Sequence, residues 1–332
     1  MNRRQLSLAG CGLAVLLLPL ADLQLAAVEP AAEFGRFFAG LVSPTVPDIE
    51  VFVSAVVQTF AFGILSSLLA APLGMLLSLC WGSSIVRGLA ASLRSIHELF
   101  WALLLLQFFG LSALTGLLAI LIPYSAIYAK VYAEILEEQP DAAVRALPPG
   151  TSSAMAWLWV RLPQAWPRLR SYTYTRCECG LRSSAVLGFV GLPTLGYHLE
   201  GALSYGAYAE AWAWLLALFV LIGGFRWLIP ARSWPLWLLL LPWALPGGWS
   251  LNGEVFARFV REELLPASLR HGELTSFASW LGDLAQQAIL PGLANTFLLS
   301  YLALIATGVA TLLLAPIGSR RRPRVNNSAT AI

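Results

Sequence analysis

The stretch VFVSAVVQTFAFGILSSLLAAPLGMLLSLCW, residues 51–81, decides the solvent in which this chain folds. It holds 31 residues and no charge. About 20 apolar residues in a helix cross a hydrocarbon layer of ~30 Å, and this run exceeds that. Leu99 to Ala129 and Trp234 to Leu251 are equally free of charge. Of the 332 residues 58% are hydrophobic and 12% charged, with a mean hydropathy of +0.71. A soluble domain carries about 25% charged residues. The reading is an all-α, polytopic membrane protein. Its net charge of +3 is modest, Lys130 is its only lysine, and the arginines sit between apolar runs. No basic soluble face exists for a nucleic acid.

Eight transmembrane helices are expected, at about 7–26, 50–81, 96–111, 113–135, 166–191, 206–229, 233–249 and 286–315. Asn2-Arg3-Arg4 before an apolar stretch to Leu20 reads as an uncleaved first helix, since no small-residue cleavage site follows convincingly. Basic residues gather at Arg3/Arg4, Arg87/Arg94, Lys130 to Arg170, Arg226/Arg232 and Arg320 to Arg324. Those loops alternate as the cytoplasmic side of a bacterial inner-membrane protein would, which puts both termini in the cytoplasm. Two segments, 30–48 and 252–284, mix charges with aromatics at helical spacing and read as amphipathic helices on the outer face. The four cysteines, Cys11, Cys80, Cys177 and Cys179, have neither metal-ligand nor disulfide-framework spacing. His97-Glu98 reads as a capped helix start.

The chain repeats itself weakly. Val57-Gln-Thr-Phe begins an apolar helix that ends Ala71-Pro-Leu-Gly, and Ala294-Asn-Thr-Phe begins another that ends Ala315-Pro-Ile-Gly. Each follows an amphipathic segment. The Thr-to-Pro spacings are 13 and 20, so the match needs a gap.

The longest cytoplasmic loop, Glu137 to Pro163, carries the most information. Asp141-Ala142-Ala143 after Pro140 is a helix start with an acid favoured by the helix dipole. Gly150 suits the turn after it. An amphipathic run then leads to Val160-Arg161-Leu162-Pro163. The result is a helical knob outside the membrane.

This loop resembles the signature of type I ABC importer permeases: Glu-Ala-Ala, three residues, Gly, nine residues, Ile-x-Leu-Pro. Gly150, Val160, Leu162 and Pro163 keep the spacing. The acidic end departs from it. Val144 stands where Glu is expected, and Asp141-Ala142-Ala143 comes three residues early. Leu162-Pro-Gln, Ser171-Tyr, Arg176-Cys-Glu-Cys-Gly-Leu-Arg-Ser-Ser184 and Val186-Leu-Gly-Phe-Val-Gly191 are similar to the phosphonate-type branch. So is Arg94-Ser-Ile-His-Glu-Leu-Phe-Trp-Ala-Leu. Gly180 replaces Asn, Ser184 replaces Ala, His97 replaces Pro, and Leu192-Pro-Thr-Leu-Gly196 replaces a glycine-rich run.

The resemblance implies a MetI-like permease core at 50–230 whose loop at 137–163 couples to an ATPase. Residues 1–49 would then be an N-terminal span with a periplasmic amphipathic segment. Residues 231–319 would be extra helices, readable as a truncated second permease unit, and 320–332 a cytoplasmic tail. It implies an ABC ATPase, a periplasmic substrate-binding protein and a second permease unit as partners. No Gly-x-x-x-x-Gly-Lys-[Ser/Thr] loop occurs in the chain. ATP would be hydrolysed by the partner, no cofactor would bind here, and the chain would be no enzyme.

Charges inside helices are expensive, so Arg176, Glu178 and Arg182 each need a partner or a wet path. Glu178 and Arg182 stand four apart, in the favourable order for a pair. Arg176 is then left for Glu98. Two readings stand: a buried ion pair that locks helices, or an arginine lining the path of a phosphorus oxyanion, whose oxygens match its donor fork. Ser183 and Ser184 would add donors or simply pack. Gly188 and Gly191 would allow close helix approach. The competing function is an ion-coupled secondary transporter or channel without an ATPase.

Overall fold

A computed structural model describes residues 12–20, 29–228, 253–258, 261 and 274–319. The span expected at 233–249 and the tail at 320–332 lie outside the described residues, as does most of 7–26. Contacts divide the chain into two compact units, Ala31–Leu264 and a second of Met1–Pro30 with Leu265–Ile332. Among the described residues all regular structure is helical.

The first unit begins with α1 (Pro30–Val42), the expected amphipathic helix. Its Phe37 carbonyl accepts the Trp212 indole N–H at 2.7 Å, and Glu33 accepts the Tyr208 hydroxyl at 2.5 Å. Asp48 caps α2 (Ile49–Leu79) by accepting the amides of Glu50 and Val51. This is the uncharged run, and it forms the centre of the unit. One side packs on α5 (Ala113–Glu137) through Phe62, Tyr124 and Tyr128; another packs on α6 (Leu162–Val186) and α8 (Tyr208–Leu228) through Ile64, Leu181 and Trp214.

Without a hydrophobic drive between helices in lipid, close contact depends on small residues. Gly63 of α2 lies against the Gly180 backbone of α6, where an added Cβ would sit 2.4–2.7 Å from the facing carbonyl oxygen. Gly74 lies against Tyr128 in the same way. The glycine that replaces the branch's asparagine at 180 is therefore a contact residue: no side chain fits there.

Two expected spans differ in form. The helix expected at 96–111 is α4 (Glu98–Phe109), and it follows a further helix, α3 (Ser84–Ser95), across a bend of 92°. Ile96 and His97 are extended, and His97 Nδ1 accepts the Leu99 amide at 3.2 Å, so a new helix starts there. At about 1.5 Å per residue α4 alone is only ~18 Å long, too short to cross; with α3 it makes a bent pair, either a broken span or a re-entrant loop. Gly110, at φ +63°, ends it in a tight turn to α5. The helix expected at 166–191 runs over α6 and carries Arg168, Arg170, Arg176, Glu178 and Arg182, so apolarity does not mark it as a span. Among the described residues four helices are long and apolar enough to cross a membrane, or five with the bent pair. α7 (Leu195–Ser204) links α6 to α8, and the segment 252–284 includes helices Gly253–Arg258 and α9 (Leu274–Leu284).

In the second unit α9 passes through a wide turn at Ala285–Ile289 into α10 (Leu290–Ser319). No described residue from Thr275 to Thr311 is buried.

Candidate functional site

The first candidate element is the loop between α5 and α6. It contains one helical turn, Ala142–Arg145, and then Pro148-Pro149-Gly150. Gly150 adopts φ +92°, the left-handed region that suits glycine. Asp141 precedes the turn but does not cap it; its carboxylate is drawn 2.9 Å from Arg161. Glu138 meets Arg168 at 2.9 Å. These two pairs pin the foot of the loop to the start of α6. Ser152 caps a helical turn, Ser153–Ala156, followed by a widened turn at Trp157–Arg161. The widening immediately precedes Pro163, which has no amide to donate and whose ring crowds the carbonyl four residues back. Val160 and Leu162 are half-buried and Pro163 is exposed. Met155, Leu158 and Trp159 leave an apolar patch on the outer side of the knob, Trp159 being 72% exposed.

The second element lies where α4, α5 and α6 meet. Tyr124 stands near the middle of α5, and its hydroxyl is 3.1 Å from Ser183 Oγ. Ser183 in turn donates to Glu98 Oε1 at 2.6 Å. A serine hydroxyl has one proton, so Tyr124 is the donor to Ser183, and a directed relay runs Tyr124 to Ser183 to Glu98. Glu98 sits just after the bend between α3 and α4, its other oxygen 3.8 Å from His97 Nε2. Arg176 lies over the rings of Tyr124 and Tyr172, at 5.5 and 5.6 Å, and its Nε donates to the Tyr172 hydroxyl at 2.9 Å. Among the described residues no carboxylate stands within ion-pair distance of it.

Sequence spacing paired the charges differently. Glu178 does not bond Arg182; its carboxylate reaches Arg226 of α8 at 2.9 Å. Side chains four apart on a helix meet only where neither has a better partner across an interface, and α8 supplies one. Arg182 is exposed, with no ion pair among the described residues. Glu98 is bonded by Ser183, not by Arg176. Ser184 is fully buried and its hydroxyl faces the carbonyls of Thr59 and Leu181 at 2.7 and 2.8 Å, which makes it a tie between α6 and α2. Gly188 does allow close approach, lying against the backbone of Gly196 and Tyr197. Gly191 has another role: at φ +96° it ends the turn after α6.

The sequence reading missed the tyrosines. Tyr124, Tyr128 and Tyr132 recur every four residues on one face of α5, a polar stripe inside an apolar run. Tyr128 bonds Ser67 at 2.8 Å and Tyr132 bonds Thr173 at 2.5 Å.

The Glu178–Arg226 pair gives a direct test. Glu178→Arg should lower the thermal midpoint of the purified protein, and Arg226→Glu in the same chain should recover most of the loss. No recovery would mean that the pair does not hold α6 to α8.

The chain is 31% identical over 139 residues to the phosphite transport system permease protein PtxC of Stutzerimonas stutzeri, covering 42% of this chain and 50% of that one. It is 32% identical over 139 residues to a putative phosphite transport permease, HtxE, of the same organism, covering 41% and 52%. Its homologues are phosphorus-oxyanion permeases. A third, the phosphate-import permease PhnE of Mycolicibacterium smegmatis, is 29% identical over 198 residues, 56% of this chain and 36% of that one. The chain spans about half the length of the phosphite permeases it matches. No family model matches it. Among solved structures, the inward-facing MetNI methionine ABC transporter aligns with a TM-score of 0.50 at 20% identity, over 58% of this chain and 99% of that one. The fold is that of ABC importer permeases.

Proposed function

We propose that this chain is the permease subunit of an ABC importer that carries phosphite, a phosphonate or a related phosphorus oxyanion across the bacterial inner membrane. The observation that carries the reading is Arg176. It is a guanidinium held between two tyrosine rings, with its Nε engaged and, among the described residues, no carboxylate within ion-pair distance. A fixed cation without a counter-charge, in a low-dielectric surround, attracts an anion. Arginine presents two parallel donors that fit two oxygens of a phosphorus centre. The phosphite and phosphate transport ascribed to the related permeases agrees with that chemistry.

In this reading residues 50–230 form the permease unit, and both termini face the cytoplasm. The knob at 137–163 docks on a separate ATPase through its exposed Met155, Leu158 and Trp159. A periplasmic protein delivers the substrate, and a second permease unit completes the path. Pro163 and Arg176 lie on the same helix, 13 residues or about 20 Å apart, so a pull on the knob moves the site. Glu98, Ser183 and Tyr124 line one wall, and Arg182 is a further basic residue on α6, six positions after Arg176.

The test uses right-side-out vesicles with the ATPase inside and the binding protein supplied outside. Uptake should require the ATPase. Gly150→Val, which forces a branched residue into the left-handed region, should cut uptake at least about tenfold while the chain still inserts. Uptake that persists without any ATPase would instead make the chain a secondary transporter or channel.

A further inference from the structure

The antiparallel helices α2 and α6 touch where Thr59 meets Ser184 and Gly63 meets Gly180. Beyond that seam they part, and a cavity of about 320 Å³ opens between them. Sites for small ligands hold about 300–1,000 Å³. Pro72 and Arg170 line it, roughly 14 Å along α2 from Gly63 and roughly 15 Å along α6 from Gly180. Pro72 contributes to the parting: it has no amide for the Leu68 carbonyl, and its ring crowds that turn.

The walls of this cleft are apolar. Leu68, Ala71 and Met75 of α2 face Leu169 of α6. The two hydroxyls that reach the wall are already engaged. Tyr132 of α5 donates to Thr173 Oγ1 at 2.5 Å, and Thr173 donates to the Leu169 carbonyl at 2.8 Å. A buried water takes about 2–4 polar partners, so these walls suit a hydrocarbon chain better than water.

The rim has a different chemistry. Trp166 and Arg170 stand one turn apart on α6, Trp166 being 52% exposed and Arg170 half-buried. Tryptophan marks the boundary between membrane and water, and an arginine there keeps its charged head at the interface. Both lie within about 12 Å of the start of α6 at Leu162. That end of the bundle also carries Arg145, Arg161 and Arg168. It is the cytoplasmic end in the topology above, and the cytoplasmic leaflet has a negative surface. Arg170 stands six residues from Arg176, about 120° around the helix. The cleft and the oxyanion site therefore lie on different sides of α6.

We propose that the cleft is a binding site for an anionic phospholipid of the inner leaflet. One acyl chain lies between α2 and α6, and Arg170 beside Trp166 holds the phosphate at the rim. A lipid seated there touches the part of α6 that joins Pro163 to Arg176. The proposal does not depend on which ion the chain carries.

The experiment uses the purified full chain in detergent, extracted until no phospholipid phosphorus remains. Its thermal midpoint is read with phosphatidylglycerol, with phosphatidylcholine of the same chains, and with inorganic phosphate. Phosphatidylglycerol should raise the midpoint by about 5 °C or more near saturation. Phosphatidylcholine should give less than half that shift, and inorganic phosphate none. Arg170→Gln should lose at least half of the phosphatidylglycerol shift. Ala71→Leu, which fills the cleft, should lose the shift with both lipids; Arg170→Gln carries the test alone if that chain does not fold. Arg145→Gln, out on the knob, should keep the full shift, which separates the cleft from a general pull of anionic lipid on a basic face. No shift in the parent, an equal shift in Arg170→Gln, or an equal shift with inorganic phosphate overturns the proposal. A last arm replaces Cys11, Cys80 and Cys179 by serine and adds Trp166→Cys. Disulfide dimers of that chain in native membranes would put a second copy at the cleft and overturn it too.

Discussion

Arg176→Ala should abolish uptake of phosphite or phosphonate by vesicles while the ATPase still co-purifies. Arg176 touches Tyr124 and Tyr172 and takes no part in the α2–α6 seam, so its removal spares the helix packing. Two charge-assisted hydrogen bonds to an oxyanion contribute about 1.5–3 kcal/mol each. Their loss corresponds to at least about a hundredfold in uptake, at tenfold per 1.4 kcal/mol. Arg176→Lys keeps the charge but loses the planar fork and its stacking on the rings, and should fall between the two. Ser183→Ala removes the link between Tyr124 and Glu98 and should cost less, because the guanidinium is untouched. Uptake by Arg176→Ala within about twofold of the parent would remove Arg176 from the path.

Gly180→Leu should leave almost no folded protein. The first added carbon alone would stand 2.4 Å from the Gly63 carbonyl oxygen, and a backbone atom cannot swing aside. Relief requires α2 and α6 to part, which breaks the Ser184 tie to Thr59 and opens the contacts around Ile64 and Leu181. Overpacking of this kind costs about 3 kcal/mol or more, comparable to a large share of a typical folding free energy. Gly88→Leu is the control. No atom lies within 4 Å of a Cβ added there, so its thermal midpoint and yield should match the parent. Equal stability of the two variants would mean that the α2–α6 contact is looser than described.

Long apolar runs made α2, α5, α8 and α10 legible in the sequence, because the bilayer selects composition and composition is local. The turn at Gly150 and the amphipathic α1 were legible for the same reason: each depends on residues within a few positions. The helix start at His97-Glu98 was legible too, and the cap is there; what was hidden is that Ser84–Ser95 before it is itself a helix, set at 92° to the next. Pairing was also hidden. Spacing alone favoured Glu178 with Arg182 and Glu98 with Arg176, yet which face of α6 meets α8 and which meets α4 is a tertiary matter. Ser184 illustrates this: beside Ser183 in sequence, it bonds the Thr59 carbonyl and ties helices together, while Ser183 bonds Glu98. The tyrosines of α5 were readable as a four-residue period, but aromatic residues in an apolar helix draw no notice until their hydroxyls find Ser67, Thr173 and Ser183.

The cage around Arg176 also bears on electrical insulation. Any opening across the inner membrane is exposed to protons and sodium ions driven by the membrane potential, at about 2.3 kcal/mol per charge per 100 mV. A guanidinium fixed by two rings repels a cation 5 Å away by about 3 kcal/mol at an effective dielectric near 20. That repulsion exceeds the drive of a 100 mV potential. A path that passes Arg176 would admit an oxyanion and still refuse the ions whose leak would discharge the cell, and it would do so with a side chain that needs no moving part.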